Sequence, residues 1–195
     1  FKETNNNLEF GGAPQLTSTI DVLTASIGAG VLRQDKRGSW VAGGTLVGSP
    51  GEFNSRSTRQ IYHESRLGAN PQFVYTQFWA QRNTRLTPKL TSSLRGLLQF
   101  SSANLVPTEQ LSMGGLATVR GYKERILSGD HGYTLTHEFQ YQLPTLSLPK
   151  KLPALETHGA LFWDYGRIYM KYPEVNHRRT DYLSSVGMGL RFTVA

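Results

Sequence analysis

The 195-residue chain contains no cysteine. That absence removes disulfide frameworks, thiolate metal sites and cysteine nucleophiles together, and leaves the compartment open, because many envelope proteins also lack the residue. Long hydrophobic runs are missing too: no window approaches the ~18 consecutive apolar residues that a membrane-crossing helix requires. The start at Phe1 carries neither an initiator methionine nor the apolar core of a signal peptide, and the chain is expected to be a piece of a longer protein. Acidic residues are the scarcer charge, 14 against 21 Lys and Arg, which gives a formal +7. Such a balance is compatible with a nucleic-acid partner. The cations, however, are scattered over the presumed connections (Arg33, Lys36, Arg37; Arg82, Arg85, Lys89; Lys123, Arg125; Lys150, Lys151; Arg178, Arg179) and form no single stripe, so no nucleic-acid partner is expected.

The motifs of small-molecule chemistry are absent as well. His63-Glu64, His137-Glu138 and Glu156-x-His158 are the His and carboxylate neighbours, and none has a spacing that places two metal ligands on one face. Ser128-Gly129-Asp130-His131 lacks the strand-to-helix turn of a nucleophile elbow, and the glycine-rich stretches match neither dinucleotide nor phosphate loops. No metal, cofactor, small-molecule substrate or enzymatic activity is expected. A barrel hydrolase, with Asp, His and Ser at one rim, is the weakest of the alternatives.

What the chain does have is period two. Tyr133, Leu135, Phe139, Tyr141 and Leu143 alternate with Thr134, Thr136, Glu138, Gln140 and Gln142; Leu161, Trp163 and Tyr165 alternate with His158, Asp164 and Gly166. In 182–194, Val186, Met188, Leu190 and Phe192 oppose Gly187, Gly189 and Arg191. With weaker segments at 16–27, 38–48, 73–82 and 90–101, this predicts about seven strands and almost no helix beyond a short turn near 57–64. A soluble β-sandwich alternates in the same way. Two features favour a transmembrane barrel: strand lengths near the ~9–11 residues a tilted strand needs to cross a bilayer, and aromatics placed for interfacial girdles (Tyr133, Tyr141, Tyr169, Tyr182, Trp40, Trp79). Seven strands cannot close by the even-number rule of single-chain bacterial barrels, so further strands are expected outside this chain.

Between 104 and 131 runs a connection far longer than a hairpin needs. Leu116, Val119, Tyr122 and Ile126 interleave there with Arg120, Lys123, Glu124 and Arg125, so the loop is expected to pack against something. Gly114, Gly115 and Gly121 permit positive φ and close approach around Arg120.

Val119-Arg120-Gly121-Tyr122, preceded by Gly114-Gly115 and followed by Gly129-Asp130-x-Gly132, resembles the signature loop of the two-partner secretion translocators of the outer membrane, the haemolysin secretion/activation family. Phe162-x-Asp164-x-Gly166 resembles the family's second signature, two strands on, and Pro107-Thr108-Glu109-Gln110-Leu111 resembles the run leading into the loop. The likeness covers the C-terminal half well and the first seventy residues poorly. It implies an all-β, sixteen-stranded antiparallel barrel, of which residues 1–195 would be the C-terminal part, with 105–131 folded into the lumen. It further implies a bacterial outer-membrane location in contact with lipid, and a secreted passenger protein as partner. A barrel-assembly factor of the same superfamily is the alternative. If Leu161, Trp163 and Tyr165 face lipid, period two turns Asp164 to the lumen, where Arg120 could meet it with a bidentate fork, and Gly166, Gly187 and Gly189 would leave room for the loop. The residues alone leave a second reading open, in which Arg120 is a solvated loop residue and Asp164 one more polar group of the wall.

Overall fold

The computed structural model describes residues 2–8, 16–144, 155–173 and 178–194; Lys150 and Lys151 lie outside them. Two short strands, β1 (Lys2–Leu8) and β2 (Leu16–Val22), form an antiparallel ribbon. The principal sheet holds seven strands: β3 (Ala25–Asp35), β4 (Gly38–Pro50), β5 (Gln72–Arg85), β6 (Leu90–Ser101), β9 (His131–Gln142), β10 (Leu155–Tyr169) and β11 (Thr180–Val194). Its order is β11-β10-β9-β6-β5-β4-β3, and every neighbour is antiparallel. The remaining elements are helix α1 (Arg59–Ser65), in the β4–β5 connection, and the tiny hairpin β7 (Leu111–Met113) with β8 (Leu127–Gly129), inside the β6–β9 connection. No helix among the described residues is long and apolar enough to cross a membrane. Crossing by strands is a separate matter.

The meander is an up-and-down wall. Its two faces differ as the alternation requires: one exposes Ile27, Phe78, Phe139, Leu161, Val186 and Met188, the last with 85% of its surface accessible. The opposite face carries the buried polar residues Gln99, Thr134, Thr136 and Asp164, because the long connection lies over them. A water-soluble sandwich would bury the apolar face instead. Edge strands β3 and β11 each have one partner, and an open edge in lipid leaves backbone groups unpaired, so a closed cylinder requires further strands.

Both apolar cores sit on the inner face. One, at the rim where β4 ends and β5 begins, joins Ile20, Val22, Tyr62, Phe73, Leu105 and Val106; the other joins Met113, Val119, Ile168 and Leu183. Helix α1 is capped by Thr58, whose Oγ1 accepts from the Ile61 amide, and it is held in the first core by the buried Tyr62.

Several expectations need correcting. The segment 16–27 is two strands in different sheets, because the chain breaks at Leu23-Thr24; the first wall strand is β3. Arg33, Arg82 and Arg85 lie within strands, not in connections. Trp79 faces inward: it pairs with Gly43 and Leu97, and a Cβ on Gly43 would come within 2.6 Å of its indole. Bulk on one strand is matched by its absence on the next. The other aromatics do form two belts on the outer face, with Tyr133, Tyr169 and Tyr182 at one end and Trp40 and Tyr141 at the other.

Candidate functional site

The β6–β9 connection folds back across the inner face and is fixed at its base and at its tip. At the base, Asp130 is fully buried. Nη1 of Arg66 donates to its Oδ1 at 2.5 Å and Nη2 to its Oδ2 at 2.9 Å; the amides of Leu105 and Lys171 add bonds of 2.8 and 2.9 Å. Burial alone would push this carboxyl up, but the guanidinium and the two amides outweigh it and hold its pKa below the ordinary carboxylate range. Three connections therefore meet at one side chain. Asn104 repeats the arrangement, donating to the carbonyls of Leu67 and Tyr172 and accepting from the Tyr172 amide. From the wall, Nε2 of Gln99 donates to the carbonyls of both legs of the connection, Glu109 at 3.3 Å and Asp130 at 3.2 Å.

Close backbone approach explains the glycines of the base. A Cβ on Gly129 would stand 2.8 Å from Cβ of Ile168, and one on Gly132 would stand 2.5 Å from the Arg167 carbonyl. At the tip, Gly114, Gly115 and Gly121 all have positive φ. Gly115 also leaves the space filled by the Glu124 carboxylate, which accepts from the Leu116 amide. Thr118 closes the turn, its hydroxyl donating to the Gly114 carbonyl and accepting from the Gly114 amide.

Val119 is buried against Met113, Ile168 and Leu183, which brings the next residue to the wall. Nε and Nη2 of Arg120 donate to Oδ2 and Oδ1 of Asp164, each at 2.7 Å, and the Arg120 amide donates to Oδ2 at 3.1 Å. Nη1 pairs with Oε2 of Glu138 on β9. The guanidinium lies over the Phe162 ring, 3.5 Å from its centroid. One cation thus meets two carboxylates and an aromatic face. Asp164 is wholly buried, so loss of the arginine would strand a desolvated charge, a cost of about 3–5 kcal/mol.

Lesser contacts surround this one. Arg95 of β6 donates to the Ala117 carbonyl, Thr136 of β9 to the Thr118 carbonyl, and Tyr122 to the Ser184 carbonyl of β11. Gly166 is the seat of the tip: a Cβ there would meet Sδ of Met113 at 2.8 Å and Cγ2 of Val119 at 3.2 Å. Gly187 and Gly189 do not serve the loop. Gly187 lies under the Phe162 ring, and nothing stands within 4 Å of a Cβ at Gly189. Val119 and Arg120 of the first motif thus meet Phe162, Asp164 and Gly166 of the second on the inner face, while Gly129, Asp130 and Gly132 lie at the base. The sequence reading missed Arg66, Gln99, Asn104 and Glu138 as site residues; of these, Gln99 and Glu138 had a signal, their places on the polar faces of β6 and β9.

A model of the family described as haemolysin secretion/activation protein ShlB/FhaC/HecB matches residues 19–192. The chain belongs to this family. Membership in the haemolysin secretion/activation family reaches back well into the first seventy residues, which carry none of the motifs. HuxB of Haemophilus influenzae strain 86-028NP, a heme/hemopexin transporter protein, is 27% identical over 149 residues, 72% of this chain and 25% of HuxB. HuxB of strain Rd is 31% identical over 101 residues, half of this chain and 17% of that protein. CdiB from Escherichia coli shares the fold, with a TM-score of 0.68 at 20% identity over 92% of this chain and 31% of CdiB. The chain spans about a quarter of the length of the HuxB protein that it matches over most of its own length. The haemolysin secretion/activation family comprises outer-membrane β-barrel proteins of Gram-negative bacteria, and this wall has the fold of part of such a barrel.

Proposed function

We propose that the full-length protein carries a large partner polypeptide, a secreted passenger, from the periplasm to the cell surface through its β-barrel, by two-partner secretion. In this reading residues 1–195 supply the C-terminal part of the barrel domain, residues 105–131 are the infolded loop, and the exposed apolar face meets outer-membrane lipid. The observation that carries it is the fork of Arg120 on Asp164, backed by Glu138, at the end of a hairpin with its own apolar anchor.

Export requires a polar path and an element that keeps its place while chain moves past it. The inner face supplies Thr, Gln and Gly positions, and the latch supplies several kcal/mol of retention. An extended passenger can also be held by strand addition at a sheet edge, a general way to bind unfolded polypeptide. No covalent chemistry or nucleotide enters; folding of the passenger outside the cell supplies the direction.

The test is complementation. Cells lacking the full-length protein should retain its partner in the periplasm, and restoring the protein should return the partner to the surface or medium. A partner that reaches the surface equally well without it would remove the reading.

A further inference from the structure

On the outer face of β10 the rows run Leu161, Trp163, Tyr165, Arg167, Tyr169 towards the end where the long connection begins. Arg167 is level with Tyr133 on β9 and Tyr182 on β11. Tyr165, one row below, lies 5.9 Å from the Tyr133 ring and 6.3 Å from the Tyr182 ring, and the Arg167 guanidinium lies 5.2 Å from the centre of Tyr169. A cation therefore stands inside a ring of four tyrosines.

Among the described residues no counter-charge faces it. Among the described residues, the outward positions of β9, β10 and β11 hold no aspartate or glutamate, and Nε of Arg167 is buried without a hydrogen-bond partner. Arg82, which also faces outward but at the opposite end, shows the contrasting solution: it grips Asp35 at 2.5 and 3.1 Å and lies 5.2 Å from the Trp40 ring. Arg178 and Arg179 are exposed in the β10–β11 connection, and the Arg179 carbonyl accepts from the Met170 amide one residue beyond β10.

An unpaired arginine on a lipid-facing surface is costly, and intramembrane cations normally find a partner. At the level of an aromatic belt the anions to hand are those of lipid headgroups, where basic clusters bind phosphates. The guanidinium fork fits two phosphate oxygens, and tyrosine hydroxyls can donate to a third.

We propose that Arg167, ringed by Tyr133, Tyr165, Tyr169 and Tyr182, is a binding site for the phosphate of an anionic lipid in the leaflet at the long-connection end of the barrel. The site rests on the outer-membrane reading of the wall, and its test keeps the two apart. The full-length protein is reconstituted in phosphatidylcholine nanodiscs containing either bisphosphorylated or dephosphorylated lipid A, and retained lipid is counted by native mass spectrometry. The wild type should hold the phosphorylated form about tenfold better than Arg167→Leu does, a factor expected for loss of one charge-assisted pair. Arg167→Lys, which keeps the charge and loses the fork, should fall between them and serves as the comparison if the leucine variant does not insert. Equal retention by wild type and variants, or no preference for the phosphorylated lipid, overturns the site. If the wild type itself does not run as a heat-modifiable barrel, the membrane reading has failed instead.

Discussion

Arg66 and Asp130, 64 positions apart in the chain, form a bidentate pair at 2.5 and 2.9 Å that closes the base of the infolded connection. The acid is fully buried and the arginine side chain is 10% exposed, so neither can turn to solvent without moving the connections that carry them. Asp130→Ala should cost about 3–5 kcal/mol of local stability, because the guanidinium is left buried without its partner. Faster hydrogen exchange at the base amides of Asn70 and Tyr172 in membrane-inserted full-length protein is the readout. Wild-type protection of those amides in the variant would contradict the role.

The same pair sets a pH dependence. The folded Asp130 carboxyl titrates below its unfolded value of ~3.9, so its stabilisation is complete above that value and is lost as pH falls through the folded pKa. Hydrogen exchange at the Leu105 and Lys171 amides should stay slow from neutral pH down to about 5, then quicken under strongly acid conditions. Asp130→Asn should remove this transition. Loss of protection between pH 5 and 7 would point to another group.

Room beneath the tip is tested by glycine replacement. Gly166→Leu drives side-chain atoms into Met113 and Val119, both fully buried, and should destabilise the docked loop by about 1–3 kcal/mol. Gly189→Leu meets nothing within 4 Å at its Cβ and should stay within about 0.5 kcal/mol of wild type. Equal effects in loop-cleavage rates would show that the tip does not rest on Gly166.

Gln99 joins both legs of the connection to β6, and its own carbonyl accepts from Gln77 at 2.7 Å. Gln99→Leu keeps the volume roughly and removes the bonds, at a cost of about 1–3 kcal/mol in unpaired carbonyls. Faster exchange should appear at the base, while the tip stays protected. Uniform loosening would mean that base and tip are not separate fixtures.

The wall strands were legible because period two is a local property: β6, β9, β10 and β11 each present a readable face, and Asp164 fell on the correct side from its neighbours alone. The break at Leu23-Thr24 was not legible, since the segment 16–27 alternates weakly across both of its strands. Trp79 was misplaced because a tryptophan that fills the space over Gly43 looks, in sequence, like one that anchors at an interface. The tip was legible through its motifs. The base was only half so: Asp130 stood in a motif, whereas Arg66 sits in an aperiodic polar stretch and reaches Asp130 through tertiary folding that no spacing encodes.

Passenger export by full-length protein carrying Arg120→Ala, with barrel insertion verified by heat-modifiable migration, tests the central claim most directly. Removing a fork worth about 3–5 kcal/mol shifts the docking equilibrium more than a hundredfold, and export should drop by about tenfold or more. Wild-type export from an intact barrel that lacks this arginine would contradict the account.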